Sequence, residues 1–337
     1  MVRSDFIMEV RGYLVNPAER RLRTPWRLVV WAFTAGFVVI VFSALFGVVP
    51  APERATGFTP ALYAIAEQTW GFLVLSVGGL GVGYLLDRRT LADYGLAPDR
   101  QWWRDAGFGL ALGFGLPTLA LVGQVAVGFT TVTGVLPTSP SDTFAFGSTG
   151  ALVRLALLAP FFLVQASTEE ILVRGYLLTN LAEGLAGTLG KWRSVVVATV
   201  ATGALFGILH FANPSASLLS TANITLYGVL LGACYVLTGR LAIACGFHVA
   251  WNYTLSLWNF PVSGLDTGAA LLGTESTGPA LVTGGSFGIE GGLVALPLLV
   301  VGTAALAWWV RREYGAVEVL EAVATPELRI RTRSIDG

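Results

Sequence analysis

Charge is what this sequence has least of. Only 12% of its 337 residues are Asp, Glu, Lys or Arg, while 54% are hydrophobic; soluble domains carry about 25% charge. Lysine is almost absent: Lys191 stands alone and the other 20 of the 21 cations are Arg, which reads as genomic GC bias rather than function. Net charge is zero, so there is no global basic surface for nucleic acid. The two cysteines, Cys234 and Cys245, both lie in apolar runs and offer no disulfide framework; they read as reduced packing residues. No internal repeat, soluble second domain or low-complexity run is visible. The polar stretch before the first apolar run is too long and too acidic for a secretory leader, so no cleaved signal peptide is expected.

What remains is hydrophobic length. With a mean hydropathy of +0.68, the chain is expected to be an all-α, polytopic transmembrane bundle. Eight apolar stretches approach the span of about 20 residues that a helix needs: 28–49, 61–86, 106–130, 151–180, 194–213, 223–238, 241–259 and 291–310. This divides the chain into a cytoplasmic segment 1–27, a transmembrane domain 28–310 and a polar, mobile cytoplasmic tail 311–337. Eighteen of the 21 cations fall on alternate connections or the termini, leaving Arg54 opposite them and Arg154 and Arg174 inside a span. By the positive-inside rule both termini face the cytoplasm of a plasma-membrane protein, and residues 260–290, rich in Gly, Ser and Thr, form an external loop.

Against this background the stretch "ASTEEILVRGYLL" (166–178) places Glu169, Glu170 and Arg174 in an apolar run. A charge at the bilayer centre costs at least a few kcal/mol, which makes it a functional hypothesis by default. Glu170 and Arg174 are i,i+4 on one helix face and can pair; Glu169 is rotated by about 100° and points elsewhere. The bland alternative is that all three hold helices together. The only two histidines also lie in apolar runs, His210 one turn after Phe206 and His248 one turn before Asn252. A free Glu, two His and an Asn are the inventory of a hydrolytic site, with a general base on water and donors for an oxyanion. The two imidazoles and a carboxylate could equally hold a metal.

The segments "EEILVR" (169–174), "FGILH" (206–210) and "HVAWN" (248–252) together resemble the CPBP family of CAAX-type intramembrane endopeptidases, whose pattern is E-E-x-x-x-R, F-x-x-x-H and H-x-x-x-N on successive core helices. The motif-bearing core covers about 150–260. The resemblance implies a bundle with an intramembrane cavity facing the cytoplasm. It implies Glu169 as general base, His210 sharing the water, and His248 with Asn252 stabilising the oxyanion, with Glu170, Arg174 and Phe206 in support. A metal-free glutamate mechanism is favoured, so no cofactor is expected; zinc on Glu169, His210 and His248 is the open alternative. The expected partners are the lipid bilayer and a membrane-tethered or hydrophobic protein or peptide substrate. The competing functions are a non-proteolytic scaffold or immunity protein and a proton-coupled transporter.

Depth raises a difficulty. At 1.5 Å per residue His248 lies ~10 Å into its span from the cytoplasmic side and His210 ~24 Å. For the two to meet, the His210 helix must begin later than 194, or kink, or tilt; Pro160 and Pro214 are the expected irregularities. Glu67 and Gln68 in the second span read as interhelical hydrogen bonding, with cavity lining as the lesser option. Phe247, Trp251 and Trp258 read as packing and anchoring rather than as a lipid-tail pocket.

Overall fold

The computed structural model describes residues 12–17, 19–48, 58–141, 144, 146 and 148–329. Arg3, Arg11, Arg54 and the tail from 330 onward, each used in the charge count, lie outside the described residues. Helices occupy all eight expected positions: α1 (Thr24–Val48), α2 (Phe58–Leu85), α3 (Arg100–Ala126), α4 (Ala151–Leu189), α5 (Lys191–Leu209), α6 (Leu218–Val236), α7 (Ala242–Leu257) and α8 (Ala295–Tyr314). The chain is therefore a polytopic helical membrane bundle. Six of these, α1 to α6, are long and apolar enough to cross a membrane. The other two fall short for identifiable reasons. Helix α7 has only 16 residues and is buried by its neighbours along most of its length; α8 ends in the charged run Arg311, Arg312 and Glu313.

Glycines set the closest helix approaches. A Cβ on Gly109 of α3 would stand 2.4 Å from the Ile243 carbonyl oxygen, and one on Gly113 would stand 2.3 Å from that of Phe247. Gly246 faces back against the α3 backbone in the same way. Small residues at such crossings let backbones touch where lipid supplies no hydrophobic drive. The pair α5–α6 repeats the device, Gly203 meeting Gly228 backbone to backbone. These two contacts fix α7 and α5, the helices that carry the histidines. Phe247, Trp251 and Trp258 are buried in the main core, so the packing reading of these aromatics holds. Cys234 and Cys245 are free and buried.

One end of the bundle gathers the arginines. Glu183, near the end of α4, accepts hydrogen bonds from Arg21 at 2.6 Å, Arg27 at 2.7 Å and Arg89 at 2.6 Å. Asp87 is buried in the same group, and removal from water pushes its carboxyl above the usual range. Nearby, Asp99 caps α3 by accepting from the Trp102 amide and pairs with Arg240 at 2.7 Å; Arg240 and that amide hold its carboxyl below the usual range. The described part of the C-terminal tail is not free. Leu320 donates its amide to Val236, and Val323 and Ala324 are buried against α4 and α5.

The opposite end is covered by folded chain. Strand β1 (Thr130–Val135) pairs antiparallel with β2 (Leu272–Ser276), and the segment between β2 and α8 packs into the bundle through Ile289 and Glu290. The expected external loop is thus a structured cap. Its buried backbone must be hydrogen-bonded, and Asn223 supplies part of that by donating to the Glu290 and Gly292 carbonyls at 2.9 Å each.

Candidate active site

Helix α4 runs as an α-helix to Glu170, passing through Pro160 without interruption, and then widens into a π-helix over Ile171–Leu178. The irregularity expected at Pro160 therefore lies about three turns later, immediately after the two carboxylates. Wide i→i+5 turns of this kind are frequent at functional sites. The predicted Glu170–Arg174 pair forms across this junction, with Arg174 Nη1 donating to Glu170 Oε1 at 2.8 Å and both side chains fully buried. Arg174 Nη2 donates to the Gly228 carbonyl at 3.0 Å, and its guanidinium lies 4.5 Å from the centroid of the Phe206 ring. Phe206 thus supports the charge from below.

Glu170 also reaches α7. His248 Nδ1–H donates to Glu170 Oε1 at 2.8 Å, which turns Nε2 toward Glu169. The distance from His248 Nε2 to Glu169 Oε2 is 3.8 Å, too long for a direct hydrogen bond. Glu169 Oε2 is shielded and accepts from no side chain or backbone donor. Its other oxygen, Oε1, accepts from Gln165 Nε2, whose own Oε1 accepts from Asn252 Nδ2 at 3.1 Å. Gln165 was not a sequence candidate. The signal was present as Q-x-x-x-E at i,i+4, but a neutral amide one turn from a conspicuous acid does not stand out.

Glu169, His210, His248 and Asn252 all line one cavity of about 230 Å³, together with Gln165 and Phe206. Glu169 and Asn252 are linked through Gln165, and His248 faces Glu169 from its hydrogen bond to Glu170. His210 is set one turn further along, across Phe206: its ring centroid is 4.5 Å from that of Phe206, which is 5.8 Å from that of His248. His210 Nδ1–H donates to the Phe206 carbonyl at 2.7 Å, leaving Nε2 as the free nitrogen. The later start that would have brought His210 level with His248 is not found, since α5 begins at Lys191; His210 reaches the site because the cavity extends along the bundle to the turn at His210–Ala212 before Pro214. Gln68 also lines the cavity, which was the lesser option for it. So does Glu290, unrecognised in sequence, whose carboxylate accepts from Trp251 Nε1 at 2.9 Å and the Ser263 amide at 2.7 Å. An apolar groove of about 190 Å³ between α1 and α2, lined by Val38, Phe42 and Leu75, shares Gln68 and Phe72 with the cavity.

Glu170, Arg174 and Leu178, fully buried, follow the cavity-lining part of α4, and part of the cavity wall comes from Asn213, Ser263, Thr267 and Glu290. Among the described residues no three His, Cys, Asp or Glu side chains stand close enough to share a metal ion. Glu169, His210 and His248 therefore do not form a three-ligand set as placed.

Residues 150–254, from the start of α4 to most of α7, match the family described as type II CAAX prenyl endopeptidase Rce1-like. This segment is similar to that family, and it contains Gln165 and every predicted site residue. Outside it, α1 to α3, the cap and α8 surround the Rce1-like core. Over 263 residues the chain is 25% identical to the uncharacterized protein YyaK of Bacillus subtilis (strain 168), covering 72% of this chain and 81% of that one. No solved structure matches.

Proposed function

We propose that the protein is a plasma-membrane endopeptidase that hydrolyses a peptide bond in a membrane-associated or hydrophobic protein, using water activated by Glu169. The observation that carries this reading is the pairing of an unpartnered Glu169 Oε2 with His248 Nε2 at 3.8 Å in a cavity also lined by Asn252. In the proposed reaction, water gives a proton to Glu169 Oε2 as its oxygen bonds to the scissile carbonyl carbon. The resulting oxyanion is held by Asn252 Nδ2–H and by His248, whose Nδ1 is anchored on Glu170. His210 offers Nε2 as a second acceptor for the attacking water. Glu169 then passes its proton to the amide nitrogen as the C–N bond breaks, releasing one carboxylate product and one amine product. The apolar groove beside Gln68 and Phe72 suits the hydrophobic part of a membrane-tethered substrate.

The test is a comparison of membrane-protein termini between cells carrying the wild type and Glu169→Gln. Uncleaved substrates accumulating only with the variant are expected. Identical termini, with both proteins folded and inserted, would remove the protease reading in favour of a non-proteolytic scaffold or a carrier. Bound zinc in stoichiometric amount, required for cleavage, would replace the general-base mechanism.

A further inference from the structure

We propose that Glu290 is a specificity residue: its carboxylate receives a lysine or arginine side chain of the substrate, so that cleavage falls close to a basic position. The link to cleavage rests on the protease reading; the cation site itself does not.

Glycine brings this carboxylate into the bundle. Glu290 sits in "GIEGG" (288–292). Gly288 has φ +89°, and a Cβ on Gly292 would stand 2.2 Å from the Val282 carbonyl oxygen, so neither position admits a larger residue without strain. The turn Ile289–Gly291 can therefore press inward, and Asn223 of α6 fastens its backbone. The Glu290 side chain reaches α7, where Oε1 accepts from Trp251 Nε1 at 2.9 Å. Its Oε2 accepts from the Ser263 amide at 2.7 Å and the Ser263 hydroxyl at 3.1 Å. An indole and a peptide amide only donate, so both oxygens are held as acceptors, the arrangement that suits an ionised carboxylate.

No counter-charge accompanies it. Among the described residues Glu290 makes no salt bridge, and none of those lining the cavity is Lys or Arg. Asp105 shows that neutral donors can hold a carboxylate in this protein, since it accepts from Gln101, Trp309 and Tyr314. But Asp105 does not line the cavity, and Glu290 does. Phe144, Phe161 and Phe162 share that wall, and a charge among aromatic rings is poorly screened by water or salt. Tyr227, also in the wall, holds a buried hydroxyl with no hydrogen-bond partner among the described residues. It offers a second oxygen to an ammonium or guanidinium.

Helix α7 relates this site to the proposed reaction. Trp251, which holds Glu290, is three residues after His248 and next to Asn252, all within about one turn. The Tyr227 ring bridges them, its centroid 6.1 Å from that of His248 and 5.1 Å from that of Trp251. A basic side chain on Glu290 thus belongs to a residue near the scissile bond. It neutralises one of the two carboxylates, Glu169 and Glu290, that share the cavity, whereas an acidic residue would add a third negative charge.

The probes are lipid-tethered peptides of one apolar sequence carrying a single Lys, norleucine or Glu at each position in turn. With the full chain in detergent, mass spectrometry should show cleavage roughly tenfold or more faster with Lys than with norleucine or Glu at one position near the cut, the worth of a hydrogen-bonded charge. Glu290→Gln should make the Lys and norleucine rates nearly equal. A wild type without this preference overturns the inference. So does a ratio that survives Glu290→Gln, even if all rates fall, because that marks a purely structural residue. Should Glu290→Gln not fold, Glu290→Asp takes its place; its shorter carboxylate should reduce the ratio severalfold, and an unchanged ratio overturns the inference equally. Binding is measured separately on Glu169→Gln, where the Lys peptide should bind roughly tenfold or more tightly than the norleucine one. Equal binding overturns the cation site. If no peptide is cleaved while the binding preference holds, the protease reading fails and the cation site stands.

Discussion

Two carboxylates in this protein, the part-buried Glu183 and the fully buried Glu170, meet arginine in opposite ways. Glu183 is surrounded by Arg21, Arg27 and Arg89, which tie the chain before α1 and the turn after α2 onto the end of α4. None of these groups lines the cavity. Glu170 has one arginine, Arg174, and directs the same oxygen to His248 on another helix. The first arrangement uses charge to fasten segments. The second uses charge to orient an imidazole ring whose other nitrogen faces a free carboxylate oxygen. Ion pairing alone does not mark a functional site; what distinguishes the second is an acceptor left unpartnered at a cavity wall.

The comparison can be broken from either side. The largest effect is expected at Arg174→Met. It leaves Glu170 buried with an uncompensated charge, at a cost of about 3–5 kcal/mol, and thermal unfolding in detergent should show it together with loss of cleavage. Glu183→Ala strands three guanidiniums, but the site is partly exposed, so a smaller loss of about 2 kcal/mol is expected. Cleavage per folded molecule should stay near the wild-type value, because the clamp touches no cavity residue. Gln165→Met removes the link between Glu169 and Asn252; stability should fall by only about 1 kcal/mol, while the cleavage rate falls roughly tenfold or more, since a positioned group contributes about that much or more to proton transfer. A wild-type rate would show that Gln165 merely fills space. The smallest effect is expected at Asp99→Asn. Asp99 has a depressed carboxyl in the folded protein, so its contribution is complete above the unfolded value of about 3.9 and is lost as pH falls through the lower folded value. Melting curves of the two proteins should differ at neutral pH and converge in acid.

The sequence was most legible where an apolar background makes polarity costly. Glu169, Glu170, Arg174 and both histidines stand out for that reason, but helix spacing alone set His210 too deep to share a cavity with Glu169 and His248, as it does. Gln165 did not stand out, because an amide in an oily run carries a weaker penalty and no charge. The widening of α4 left no trace either: "ILVRGYLL" is apolar on nearly every face, so its period cannot be read. At α7 the helix is short, and burial by protein substitutes for lipid-matched length. The cap was missed because Gly, Ser and Thr look alike in a solvated loop and in a tightly packed one.

The π-helical segment has a consequence for anyone mapping this protein by saturation mutagenesis. Tolerance to substitution along a lipid-exposed helix normally rises and falls with the α-helical repeat. Along α4 that rhythm should hold up to Glu170, slip across 171–178 and resume with a displaced phase from Thr179. Read with a single period, such a scan would assign the wrong face to half the helix, and the slip itself would report the geometry of the turn without any structure in hand.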